Sequence, residues 1–117
     1  GIEVEFREQG NFTTQFNADL AQIMLSNLIR NAIKYNTSPG KIRIEVTDST
    51  IDIANSSNTG ALNPTYIFER FHKGTQDNQS NGLGLSIVQS ILEQHRHIKL
   101  AYRYEGSLQH FVLKKQD

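Results

Sequence analysis

The order in which two hydrophobic periods succeed one another constrains this chain most. Ile2, Val4 and Phe6 alternate with Glu3, Glu5 and Arg7, a period of two that predicts a strand with one buried face. Phe12 to Phe16 predicts a second strand after a Gln9-Gly10-Asn11 turn. A looser helical stripe follows, through Leu20, Ile23, Met24, Leu28 and Ile33, ending near Tyr35. Asn17 or Asp19 can cap it, because a short oxygen side chain accepts from the exposed N–H groups of the first turn. Asn36 to Gly40 are turn residues. Ile42, Ile44 and Val46, then Ile51 and Ile53, return to period two around an Asp48-Ser49 turn. Asn55 to Pro64 reads as a loop, Thr65 to Phe71 as a short helix, and Lys73 to Asn81 as a lid with little apolar area to hold it down. Gly82 or Gly84 opens a helix to about Gln94, with Leu85, Val88, Ile91 and Leu92 as its stripe. Ile98 to Tyr104 and Leu108 to Leu113 form a hairpin around Glu105-Gly106-Ser107. Helices interrupt the strands without alternating one for one. The pattern predicts an α+β fold, with a mixed, mostly antiparallel sheet covered by helices on one face, and not a doubly wound parallel sheet.

Two stretches carry residues that a plain core stripe does not need. In Asn27-Leu28-Ile29-Arg30-Asn31-Ala32-Ile33-Lys34-Tyr35-Asn36, Asn27 and Asn31 lie four apart on one side of the helix. A buried Asn is costly unless its amide is satisfied, so the pair either bonds solvent and backbone or lines a site. An amide oxygen is a hard ligand suited to Mg2+, which keeps waters and takes further ligands from phosphates. In Asn81-Gly82-Leu83-Gly84-Leu85-Ser86-Ile87-Val88 a glycine pair opens a helix. A helix N-terminus offers unpaired N–H groups and a positive dipole end to phosphate, and glycine lets the backbone come close. The string is neither a P-loop nor a dinucleotide fingerprint, since no Gly-Lys-Ser/Thr follows and the spacing differs. Between them lies Ile67-Phe68-Glu69-Arg70-Phe71-His72-Lys73-Gly74, which alone reads as core residues followed by a solvated lysine.

Together, and in this order, the three strings resemble the N box, F box and second glycine box of the ATP-binding catalytic domain of sensor histidine kinases. The resemblance runs from Ile2 to about Leu113 and treats 1–117 as a single domain. It implies a Bergerat-type two-layer α/β sandwich with three helices on one face, and ATP with Mg2+ as ligands. It implies Asn31 as the metal ligand, with Lys34 and Tyr35 contacting the nucleotide beside Asn27. Phe68 would anchor the nucleotide lid, Lys73 would reach the terminal phosphate, and Gly82, Leu83, Gly84 and Leu85 would surround the phosphates. Asn31, Lys34 and Lys73 are then the catalytic set.

This chain departs from the family's pattern in places. Related ATPases such as gyrase carry, at the position of Asn27, a Glu that activates water. An amide cannot act as a general base, so Asn27 favours phosphotransfer over steady hydrolysis. The family's first glycine box is Asp-x-Gly-x-Gly, its Asp accepting from the adenine amino group. Here Asn55-Ser56-Ser57-Asn58-Thr59-Gly60 stands in its place. Asn55 can still accept through its amide oxygen, without charge. Ser80 replaces a glycine usual in the second box.

The implied reaction donates the γ-phosphoryl group of ATP to a histidine on a separate dimerisation domain of the parent kinase, for relay to the receiver domain of a response regulator. Alone, the domain is expected to be a monomer that binds nucleotide without autophosphorylating. It would be a cytoplasmic part of a membrane sensor. His72, His95, His97 and His110 all lack the acceptor's context of His followed by an acidic residue, and read as solvated or locally bonded. Two other readings share the fold: a degenerate, non-catalytic docking module, and a serine kinase of the anti-sigma-factor type.

Composition agrees with one domain of this kind. The chain has 117 residues, a net charge of zero and no cysteine, so no basic field favours nucleic acid or an anionic membrane and no disulfide or thiolate metal site can form. No apolar run approaches a membrane span, and the first residues do not resemble a signal peptide.

Overall fold

The computed structural model describes residues 1–63 and 85–116. Asn17 ends an extended stretch, and its side-chain oxygen accepts from the Leu20 N–H at 3.0 Å, which starts α1 (Ala18–Lys34). The helix buries Met24, Leu28, Asn31 and Ala32, one face at helical spacing. Before it comes β1 (Ile2–Glu8); after it come β2 (Gly40–Val46) and β3 (Thr50–Ser56). A second helix, α2 (Leu85–Glu93), precedes the hairpin of β4 (Ile98–Glu105) and β5 (Leu108–Lys115). The five strands form one sheet in the order β1-β2-β3-β5-β4. β1 runs parallel to β2, with α1 as the crossover a parallel pair requires, and the other three pairings are antiparallel.

The two helices and one sheet face enclose the core. Leu28, Ala32, Ile53, Leu85, Val88 and Leu113 are almost wholly buried. Phe6, Ile44, Ile53, Phe111 and Tyr102 lie in register across the sheet, so they share one face. The opposite face carries a polar cluster: the His110 ring Nδ1 lies 3.0 Å from Asp52 Oδ1, and Arg103 donates to Asp52 Oδ2 at 3.1 Å. Arg103 also donates to Glu105, and this pairing holds the Glu105 carboxyl below its usual pKa.

Three expectations need correction or limit. Phe12 to Phe16 is not a strand. β1 leaves the sheet at Glu8, and the following segment is held by single bonds instead of a ladder. The Asn11 N–H donates to Asp48 Oδ1 at 2.8 Å, and His97 Nε2 lies 2.7 Å from the Gln15 carbonyl. Its apolar side chains, Phe12 and Phe16, lie against the core as partly buried plugs, so a period of four mimics a short strand. The alternation of β1 is real, but its apolar side is not buried beyond Ile2. Val4 is 63% and Phe6 61% exposed, because an edge strand extends past the cover of α1. Of three expected helices, two are among the described residues; the short helix at Thr65 to Phe71 falls outside them, as does the lid.

The hairpin turn offers a simple test. Gly106 and Ser107 have φ of 61° and 63°, the left-handed pair of a type I′ turn. A serine there carries steric strain that glycine would not. Ser107→Gly is expected to stabilise the domain by about 1 kcal/mol, read as a thermal midpoint higher by roughly 4 °C. An unchanged or lower midpoint would show that the turn is not strained.

Candidate nucleotide site

The site is built where the last turn of α1 meets the end of β3. Asn36, just beyond α1, joins the two layers. Its Nδ2 donates to the Ala32 and Lys41 carbonyls at 3.0 and 2.9 Å. Its Oδ1 accepts from the Thr37 N–H at 2.8 Å and from the Ser56 hydroxyl at 2.6 Å. Ser56 Oγ in turn accepts from the Lys41 N–H at 2.9 Å. Gly40 lies under this knot; a Cβ there would sit 1.9 Å from Asn36 Oδ1 and 2.2 Å from the Thr37 carbonyl oxygen. The fixed end of α1 therefore sets the height of Asn31 over the sheet, and the fixed end of β3 sets Asn55.

Asn31 is 8% and Asn55 5% exposed, two buried amides at the same end of the helix–sheet layer. Asn55 Nδ2 donates to the Ser56 carbonyl at 2.8 Å, an orientation its amide could not reverse without setting oxygen against oxygen. Among the described residues nothing donates to Asn55 Oδ1. A buried acceptor without a donor costs about 1–3 kcal/mol, unless a ligand or water supplies one.

The other residues named from sequence divide clearly. Asn27 is turned back on its own helix, its Nδ2 donating to the Ile23 carbonyl at 2.8 Å. Lys34 is exposed, its ammonium 5.4 Å from the Tyr35 ring centroid. Leu85 has no exposed surface; its side chain belongs to the core, which leaves only its backbone to face a ligand. Phe68, Lys73, Gly82, Leu83 and Gly84 lie outside the described residues.

Two residues the sequence reading passed over lie on this sheet face, one of them directly beside Asn55. Gln109 on β5 is its cross-strand partner and is 3% exposed. The Tyr102 hydroxyl on β4 donates to Gln109 Oε1, and burial raises the Tyr102 pKa, which keeps the phenol a donor at neutral pH. The signal was present: Gln109 shares the period-two face of Phe111 and Leu113, where a polar residue implies a buried partner. Of the described histidines, His95 is held locally as expected, whereas His97 and His110 are bonded across the fold, to the Gln15 carbonyl and to Asp52; His72 lies outside the described residues. His95 Nδ1 lies 2.9 Å from the Ile91 carbonyl, and its ring stacks on Phe16 at 3.8 Å. Among the described residues no group of three or more His, Cys, Asp or Glu could hold a metal.

The sequence profile of the histidine kinase-, DNA gyrase B- and HSP90-like ATPases matches residues 16–116. The chain belongs to that family. It is 41% identical over 102 residues to the sensor histidine kinase HprS of Escherichia coli K12, covering 80% of this chain and 22% of the relative. It is 36% identical over 96 residues to the heme sensor protein HssS of Staphylococcus epidermidis, covering 79% and 21%. The chain thus spans about a fifth of the length of the curated relatives it matches. The catalytic domain of histidine kinase ThkA has the same fold, with a TM-score of 0.76 at 23% identity over 97% of this chain and 79% of that one. The cytoplasmic segment of histidine kinase QseC superposes with a TM-score of 0.71 at 14% identity, over 99% and 58%. Family, relatives and fold make this a catalytic domain of the histidine-kinase type. No helix among the described residues is long and apolar enough to cross a membrane.

Proposed function

We propose that this domain binds Mg-ATP at the α1–β3 end of the sandwich and donates the γ-phosphoryl group to a histidine on a dimerisation domain of its parent protein. The observation that carries the reading is the pair of buried amides, Asn31 and Asn55, one of which holds an acceptor with no donor among the described residues. An adenine amino group supplies the missing donor. Asn55 Oδ1 accepts it, while Asn55 Nδ2 stays on the Ser56 carbonyl and fixes the amide's orientation. Asn31 is the residue that would hold the magnesium, through its amide oxygen. Bound there, the metal would neutralise phosphate charge as the phosphoryl group departs. Lys34 and Tyr35 stand one helical turn further on, an exposed cation and a ring at the mouth of the site. In this reading Lys73, Phe68 and the backbone of 82–85 complete the phosphate side.

The chemistry is transfer and not hydrolysis, because Asn27 offers an amide bonded to its own helix and no base for water. His95, His97 and His110 are each held by a backbone carbonyl or by Asp52, so none is presented as an acceptor. The acceptor histidine, and then the receiver domain of a response regulator, are the partners. The isolated domain would be a monomer, and its parent a membrane sensor with this part in the cytoplasm.

Calorimetric titration with ATP, with and without Mg2+, tests the reading. Saturable, magnesium-enhanced binding at one site per chain is expected, with label passing to an added dimerisation domain and not to this chain. Absence of binding by the folded protein would overturn it in favour of a docking module. Label on one of this chain's own histidines would overturn the transfer scheme.

A further inference from the structure

The loop after β3 lacks the paired glycines its family uses there, yet it is not left to find its own conformation. Two side chains from the neighbouring strands hold it at two points. The Tyr102 hydroxyl accepts from the Leu62 N–H at 2.8 Å and donates to Gln109 Oε1. Gln109 Nε2 donates to the Gly60 carbonyl, with Thr59 Oγ1 at 3.5 Å beyond it. Gly60 has a φ of 72°, the left-handed conformation that turns its carbonyl toward the sheet at little cost. Each amide atom of Gln109 and both capacities of the Tyr102 hydroxyl are used. The network is buried at Gln109, which is also the cross-strand partner of Asn55.

We propose that Tyr102 and Gln109 are positioning residues for nucleotide-base selection: they hold the loop 57–62 in the form that shapes the base pocket beside Asn55. This rests on the reading of Asn55 as the acceptor for the adenine amino group. The family's glycines would let the backbone approach the base by removing side chains. This chain keeps Ser57, Asn58 and Thr59 and achieves a fixed path through hydrogen bonds. A pre-ordered loop spares binding the cost of ordering it, and a loop fixed against one base excludes a differently shaped one.

The test compares wild type with Tyr102→Phe by calorimetry with ATP and with GTP, alongside amide exchange of residues 57–62. Tyr102→Phe keeps the ring packed on Phe111, whose centroid lies 5.2 Å away, so the core should survive. Expected are faster exchange in the loop, ATP affinity about ten-fold weaker, and a narrower ATP-to-GTP ratio. Gln109→Met, of similar length and without either hydrogen bond, should behave alike and serves if the first variant does not fold. Faster exchange with unchanged ATP affinity and unchanged base ratio would overturn the proposal, leaving the network a structural tie alone. A wild type that binds no nucleotide would overturn the functional reading and this one with it; a binding wild type with unaffected variants overturns this one only.

Discussion

Asn31→Ala is expected to remove the magnesium dependence of ATP binding while leaving the domain folded. Asn31 stands on the sheet-facing side of α1 between Leu28 and Ala32, and it is the only polar residue buried on that helix among the described residues. Alanine is a better helix former by roughly 0.5 kcal/mol, which offsets part of the lost side-chain bonding. The backbone bond that closes the helix, from the Tyr35 N–H to the Asn31 carbonyl, needs no side chain. Stability should therefore change little. Affinity should not: with Asn31 as the proposed magnesium ligand, its loss is expected to weaken Mg-ATP about 100-fold, about 2.7 kcal/mol, toward the value measured without metal. Calorimetry with and without Mg2+, next to a thermal melt, separates the two effects. If the variant melts like wild type and retains its magnesium response, Asn31 is not the metal's ligand. If it melts far lower, its amide is a structural element and the site must be sought elsewhere.

Most of the architecture was legible because it follows from periods a sequence displays directly. The Asn17 cap, the course of α1, the antiparallel strands and the Gly106-Ser107 hairpin all express local chemistry. Asn31 was legible as an inward amide from the phase of its helix; Asn55, read from sequence as the start of a loop, lies instead in β3, buried beside Gln109. The failures share one cause: they depend on what lies across the fold. Phe12 and Phe16 have a strand's apolar character, but α1 must cross between two parallel strands, and the segment leading into it leaves the sheet. Val4 and Phe6 alternate correctly, yet no helix among the described residues covers them. Nothing in the order of residues states that Asn36 will bond Ser56, or that Tyr102 will reach Leu62, forty positions away. These bonds are tertiary, and they fix the site's two ends.

The knot at Asn36 gives the largest expected change in stability. Pro39-Gly40 looked like an ordinary turn, but Gly40 is the first residue of β2, and its Cα faces the side chain that ties α1 to β3. An added methyl would meet Asn36 Oδ1 at 1.9 Å and the Thr37 carbonyl oxygen at 2.2 Å. A side chain can swing aside; a backbone carbonyl cannot without moving the turn. If Asn36 swings, it gives up two donated and two accepted bonds; the Ala32 carbonyl loses its donor, and the Ser56 hydroxyl is left with Lys41 and Thr37 alone. Overpacking alone costs about 1–3 kcal/mol, and breaking a partly buried hydrogen-bond network adds about 1–3 more. Gly40→Ala is therefore expected to lower stability by about 2–6 kcal/mol in urea denaturation, with an unchanged m-value. The cost should fall in part if Asn36 is first replaced by alanine, because the amide clash and the bonds it breaks are then gone while the clash with the Thr37 carbonyl remains. Additive effects in that double variant would mean that the Thr37 carbonyl, and not the Asn36 amide, is what glycine spares. The same strain reaches the proposed site: with its bond to Asn36 lost, Ser56 is held less firmly beside Asn55, and any Gly40→Ala protein that remains folded should bind ATP more weakly even though residue 40 lies outside the pocket.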